Sequence, residues 1–188
     1  MKKEVGYTAV ISIIITSLLA GFLLSFIYSY FEKDIIANNE KALYDGVRAV
    51  IYDSDILEGP LTDNSPYPYY IGKKNDGTIV GYAVLSSSSG YNGDNKVLVG
   101  FDANLDIITS IVITEQSETP GLGAKIIESA FRDQFKNKSS VVTLTVVKGA
   151  KAENANEIVA ISGATISTVS VINAVNSAKD EAVSLFKN

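Results

Sequence analysis

The chain has 188 residues, a formal net charge of −5 and 46% apolar residues, and it contains neither cysteine nor histidine. The missing thiols exclude disulfides, thiolate zinc sites and iron–sulfur ligation, and the missing imidazole removes the usual haem ligand and the commonest general base. An acidic chain without a Lys/Arg cluster is a poor partner for nucleic acid, and any redox activity must come from an organic cofactor. No catalytic residue and no metal ligand is assigned.

Val5 to Phe31 carries no charged side chain and exceeds the roughly 20 apolar residues that a hydrocarbon core requires. It predicts a retained transmembrane helix, with residues 1–31 as the anchor and membrane lipid as its surroundings. Lys2 and Lys3 precede the span, while Glu32, Lys33 and Asp34 follow it. The positive-inside bias then predicts a single-pass protein of the cytoplasmic (inner) membrane, N-terminus in the cytoplasm and the remainder extracytoplasmic. No charge inside the span suggests an ion path.

Residues 32–68 read as a linking helix and loop, and residues 69–188 as the folded domain. The helix is expected to run on from Glu32 to Ile51, with Ile35, Ile36, Leu43, Val47, Val50 and Ile51 near one stripe. Gly59 to Tyr69 is rich in Pro, Asp and Asn and reads as a loop. Tyr69–Lys73 and Thr78–Ser86 flank Asn75-Asp76-Gly77, a strong hairpin signal. The polar run from Ser86 to Gly90 reads as a loop or a strand end. Lys96–Phe101 and Ile107–Thr114 suggest a second hairpin around Asp102–Asp106.

After a Gly/Pro loop at Thr119–Gly123, the stretch Leu122–Phe135 has helical spacing through Ile126, Ile127, Ala130, Phe131 and Phe135. Val141–Val147 and Ile158–Ile161 read as strands. Ile166–Phe186 reads as a C-terminal helix with Val169, Ile172, Val175, Ala178, Ala182 and Leu185 on its apolar stripe. This order predicts an α+β fold: an N-terminal transmembrane helix, then one extracytoplasmic domain with antiparallel strands and a C-terminal helix.

Two segments carry chemistry. Ser162-Gly163-Ala164-Thr165, followed by Ile166-Ser167-Thr168, lies between a short strand and the last helix. Such a turn offers free backbone N–H groups and the positive end of the helix dipole to a phosphate, with no Lys or Arg needed. Gly163 and Ala164 leave room for a ligand, and Ser162, Thr165, Ser167 and Thr168 supply hydroxyls. Taken alone, the segment is an ordinary helix cap. The second is Glu118-Thr119-Pro120-Gly121-Leu122-Gly123, where Pro fixes one angle and two Gly permit a tight turn with close ligand approach. Taken alone, it is a loop leading into a helix.

Together the two segments resemble the FMN-binding domain family shared by the G subunit of the Rnf complex and the C subunit of the sodium-translocating NADH:quinone reductase. Glu118–Gly123 looks like that family's ETPGLG loop and Ser162–Thr165 like its flavin-attachment motif. The apolar span and the C-terminal helix fit as well, and the short length is closer to the G subunit. The resemblance implies covalent FMN, joined through a phosphoester to Thr165 by a Mg-dependent flavin transferase that uses FAD. It implies a phosphate and flavin site at Ser162, Gly163, Ala164, Ser167, Thr168, Thr119, Gly121, Leu122 and Gly123. Lys148, in a loop after a strand, can approach a ring carbonyl or sit solvated on the surface. The implied role is relay of single electrons between the membrane iron–sulfur A and E subunits and the flavin-bearing D subunit, in a complex that couples ferredoxin and NAD to Na+ or H+ transport. The activity would belong to the assembly, not to this polypeptide alone. One position departs from the family pattern: an acidic residue usually stands three positions before the Ser of the attachment motif, where this chain has Val159, and the nearest acid is Glu157.

Two other classes compete. A pilin-like structural protein would begin with something like Gly6-Tyr7-Thr8 before an apolar run, but it needs a Glu where Ile11 stands. A membrane-anchored extracytoplasmic binding module without a flavin needs neither of the paired motifs.

Overall fold

The structure, a computed structural model, describes residues 6–149 and 151–187. Lys2 and Lys3, on which the predicted orientation rests, lie outside the described residues. The chain divides into two compact units, residues 1–42 and residues 43–188.

Helix α1 spans Tyr7–Val50. It is long and apolar enough to cross a membrane, with a mean hydropathy of 2.5 over its most apolar stretch. Its apolar side chains, among them Ile11, Leu18, Phe22 and Leu24, are exposed within the unit. The hydroxyls of Ser12 and Thr16 donate back to the carbonyls of Thr8 and Ser12 at 2.8 and 2.9 Å. Polar groups on an apolar helix are satisfied in this way without solvent.

In the second unit, strands β1 (Ile56–Leu61), β2 (Tyr69–Lys73), β3 (Ile79–Ser89), β4 (Asp94–Asp102), β5 (Ile107–Glu115) and β6 (Lys138–Ser139) form one sheet in sequence order. Every neighbouring pair is antiparallel. Strands β7 (Thr145–Val147) and β8 (Glu157–Val159) make a separate parallel pair, and α3 (Thr165–Phe186) closes the chain. The α+β architecture with antiparallel strands is as the sequence predicted.

Three local expectations change, and the choice left open for the serine run falls to the strand end. The Pro-rich stretch contributes to β1, whose register with β2 shifts between Glu58 and Leu61. Pro60 is tolerated there because β1 is an edge strand and needs no N–H on its open side. The serine run is strand throughout, pairing from Ser86↔Val97 to Ser89↔Asp94. Leu122–Phe135 is not one helix. It breaks into a 3-10 turn at Gly123–Ile127, a four-residue helix α2 at Ser129–Arg132 and a second 3-10 turn at Asp133–Phe135, with extended backbone at Glu128. Ile126, Phe131 and Phe135 are still buried, so packing keeps the apolar contacts and discards the helical hydrogen bonds. Finally, Val141 and Val142 are exposed and outside any strand, leaving only Thr145–Val147 of that predicted strand.

Period-2 alternation divides the sheet residues between two cores. Val97, Val99 and Phe101 pack with Val171, Ile172, Val175, Ala178 and Ala182 of α3. Leu98 and Ala83 face the other way, against Val47, Val50 and Ile51 at the end of α1 and beyond it. The buried face of α3 is wider than the predicted stripe, since Val171 and Ala174 are fully buried. The Ser86 hydroxyl donates to the Ala174 carbonyl at 2.6 Å and pins α3 across β3.

Candidate functional site: a cavity between two glycine-containing turns

The turn between β8 and α3 is built from its own backbone. The Ala164 amide donates to the Ile161 carbonyl at 2.9 Å, and Gly163 sits at φ +77°, a conformation that favours glycine. The Ile161 amide donates to the Thr168 hydroxyl at 3.1 Å, and that hydroxyl donates to the Ala164 carbonyl at 3.0 Å. Helix α3 then begins at Thr165 with Ala164 as its N-cap residue, so no side chain caps it. Its first amides remain available to an anion, at the positive end of a 22-residue helix.

The loop after β5 folds over this helix start. Leu122 and Ala124 both donate to the Thr119 carbonyl, at 3.2 and 3.1 Å, and Gly121 has φ +75°. The approach is close enough to require glycine at position 123. A Cβ there would stand 2.5 Å from Ser167 Oγ and 2.7 Å from Glu118 Oε2. A Cβ on Gly163 would stand 3.3 Å from Leu122 Cδ2.

Between the two turns lies a cavity of about 570 Å3, a size that suits a small-molecule ligand. It gathers Thr119, Leu122 and Gly123 from one motif and Gly163, Ala164, Thr165 and Ser167 from the other. Three further lining residues, Tyr91, Glu118 and Ile166, were not among the predicted site residues. Glu118 and Ile166 fall inside or beside the motifs, so adjacency could have found them. Tyr91, from the β3–β4 connection, had no sequence signal. Ser162 and Gly121 are exposed and do not line the cavity; Thr168 is buried beneath the turn. Lys148 is exposed and also stands apart from the lining.

The cavity is polar on one wall and apolar at its rim. Glu118 is 5% exposed, and its Oε1 accepts from the Tyr91 amide at 2.9 Å and from Asn95 Nδ2 at 3.0 Å. Leu122, Ile166 and Tyr91 are exposed, presenting apolar surface to whatever enters. An uncapped helix start beside a threonine hydroxyl suits a phosphate, and the apolar rim suits a flat aromatic ring system.

Residues 90–180 match the model of the FMN-binding domain family. Over 185 residues the chain is 31% identical to the G subunit of the ion-translocating oxidoreductase complex of Methanosarcina acetivorans, covering 95% of each. The chain belongs to the G-subunit family of ion-translocating oxidoreductase complexes. Within that family it is also 48% identical, over 108 residues, to the G subunit of the Na(+)-translocating ferredoxin:NAD(+) oxidoreductase complex of Acetobacterium woodii. That match spans 57% of this chain and about half, 51%, of the relative. The fold agrees with the C subunit of the Na(+)-translocating NADH-quinone reductase from Parabacteroides distasonis, at a TM-score of 0.53 and 23% identity over 65% of this chain and 63% of that one. The matched domain of this G-subunit family member holds both turns and Tyr91, so the cavity lies wholly inside the FMN-binding region.

Proposed function

We propose that this chain is an electron-carrying subunit of a membrane-bound Rnf-type complex, a ferredoxin:NAD+ oxidoreductase coupled to Na+ or H+ translocation, and that its FMN is esterified to Thr165. The observation that carries the reading is the position of Thr165. It lines the cavity at the first residue of α3, where no side chain caps the helix and the Thr119–Gly123 turn faces it.

In that position the free amides of the helix start would hold the flavin phosphate, and Gly123 and Gly163 let the two turns approach closely around it. Leu122, Ile166 and Tyr91 would offer apolar surface to the ring. Bound FMN supplies reversible one-electron transfer. Attachment forms a phosphoester between Thr165 Oγ1 and the flavin phosphate. The pyrophosphate bond of FAD breaks, AMP leaves, and the hydroxyl proton is released. A covalent tether has a physical purpose outside the cell, where a dissociated FMN could not be replaced.

The same reading assigns residues 1–31 as the anchor, 32–68 as the linking segment, whose β1 joins the domain's sheet, and 69–188 as the flavin domain. The N-terminus is cytoplasmic and the flavin extracytoplasmic. Partners are the membrane iron–sulfur A and E subunits, the flavin-bearing D subunit, and a flavin transferase during maturation.

The test is co-expression with a flavin transferase, followed by intact mass and in-gel fluorescence under denaturing conditions. The wild-type chain is expected to gain the mass of FMN less water and to fluoresce. Thr165→Ala is expected to do neither while keeping the wild-type fold. An unmodified wild-type mass, or a modified Thr165→Ala chain, would overturn the assignment.

A further inference from the structure

We propose that Glu118 reads the ligand in this cavity: its Oε2 accepts a hydrogen bond from a hydroxyl on the ribityl chain of the bound flavin phosphate. The proposal rests on the FMN reading above and goes beyond it, because it assigns recognition to Glu118, the first residue of the Glu118–Gly123 loop, to which that reading gives no role.

The two carboxylate oxygens of Glu118 are treated differently by the protein. Oε1 takes both the Tyr91 amide and Asn95 Nδ2. Oε2 is shielded from solvent and has no partner, on a side chain that lines the cavity. Buried carboxylate oxygens are seldom left unpaired, because the lost hydration is costly. The side-chain donor that serves Oε1 is fully committed. Asn95 Nδ2 is already shared between Glu118 Oε1 and Ser170 Oγ, both at 3.0 Å. The Ser167 hydroxyl, which stands beside the same Gly123 position as Oε2, makes no bond to Oε2 either, so the open acceptor falls to a hydroxyl of whatever fills the cavity.

Position selects which part of the ligand supplies it. The point where a Gly123 Cβ would stand is 2.7 Å from Glu118 Oε2 and 2.5 Å from Ser167 Oγ. Oε2 thus lies beside the first turn of α3, next to the residue two positions after Thr165. With the phosphate at Thr165, the neighbouring part of the ligand is the polyhydroxylated chain rather than the ring. A carboxylate repels a phosphate, but it accepts from a hydroxyl in a charge-assisted hydrogen bond.

The experiment uses the unflavinylated full-length chain in detergent, produced without a flavin transferase, and measures binding of FMN and of its 2′-, 3′- and 4′-deoxy forms by quenching of flavin fluorescence. At least one deoxy form is expected to bind the wild-type chain about tenfold more weakly than FMN. Glu118→Gln tests the assignment to this atom. The two donors on Oε1 oblige the glutamine to keep its carbonyl oxygen there, which places its NH2 where Oε2 stood. There the hydroxyl can only accept from the NH2, a neutral bond about half as strong as the charge-assisted one, so the penalty is expected to shrink to about threefold. Equal binding of all four flavins by the wild-type chain would overturn the proposal and leave water as the partner of Oε2, as would an undiminished penalty in Glu118→Gln. The wild-type series decides the question even if the variant does not fold. Failure of the wild-type chain to bind FMN, with the chain still flavinylated by the transferase, would overturn this proposal alone, whereas failure of both would overturn the flavin reading itself.

Discussion

The Thr168 hydroxyl accepts from the Ile161 amide at 3.1 Å and donates to the Ala164 carbonyl at 3.0 Å, so one side chain ties both ends of the turn that presents Thr165. Thr168 is fully buried. Its hydroxyl is spent inside the protein, and it shapes the proposed phosphate site from beneath.

Thr168→Val keeps the volume and removes the hydroxyl, leaving the Ile161 amide without its acceptor. It is expected to lower stability by about 1–3 kcal/mol and to reduce flavin incorporation, with Thr165 still present. Thr168→Ser retains the hydroxyl and is expected to restore much of both. Denaturant melts together with in-gel fluorescence check the pair; a Thr168→Val chain as stable as wild type would refute the role.

Gly123 lies at the closest approach of the two turns. The Cβ of Gly123→Ala would meet Ser167 Oγ at 2.5 Å, Glu118 Oε2 at 2.7 Å and Glu118 Cβ at 2.9 Å. The first two atoms can swing aside, but Glu118 Cβ moves only with the backbone. A loss of about 1–3 kcal/mol from overpacking is expected, together with weaker binding of free FMN. Thermal melts and flavin titration of the full chain measure both.

Glu157, the acid nearest the position of Val159, is committed to hydrogen bonds within its own turn. Its carboxylate accepts from the Asn154 side chain at 2.7 Å and from the Asn154 and Glu153 amides at 3.1 and 2.8 Å. Those bonds, the Asn154 side chain first, hold its pKa below the ordinary 4.5. Because the folded-state value is depressed, the contribution to stability is complete above the unfolded value and is lost as pH falls through the folded one. Glu157→Gln is therefore expected to melt below wild type at neutral pH, with the two curves converging at acid pH. Flavin incorporation is expected to be unchanged, and a melting difference that persists through the acid range would contradict this account.

Much of the site was legible in the sequence, because both motifs are contiguous and their chemistry is backbone chemistry. A glycine at a strand-to-helix turn and a hydroxyl at the first helical residue are local facts. Tyr91 and Glu118 were not legible in the same way. Tyr91 enters the cavity only because β3 and β4 pair as far as Ser89↔Asp94, which carries their connection beside the loop after β5. Glu118 gained its role from the burial of one carboxylate oxygen, which depends on the neighbours that close around it.

The amino-acid sequence by itself determined the long apolar helix, the hairpin strands, the C-terminal helix and the two turns, since each depends on periodicity or on residues a few positions apart. Tertiary structure alone decided that Leu122–Phe135 would break, that β1 would join the sheet edge, and that the two motifs would face each other across a cavity. Those outcomes follow from competition between local hydrogen bonds and long-range burial. The energies are comparable, so the winner is set by what the rest of the chain packs against each segment.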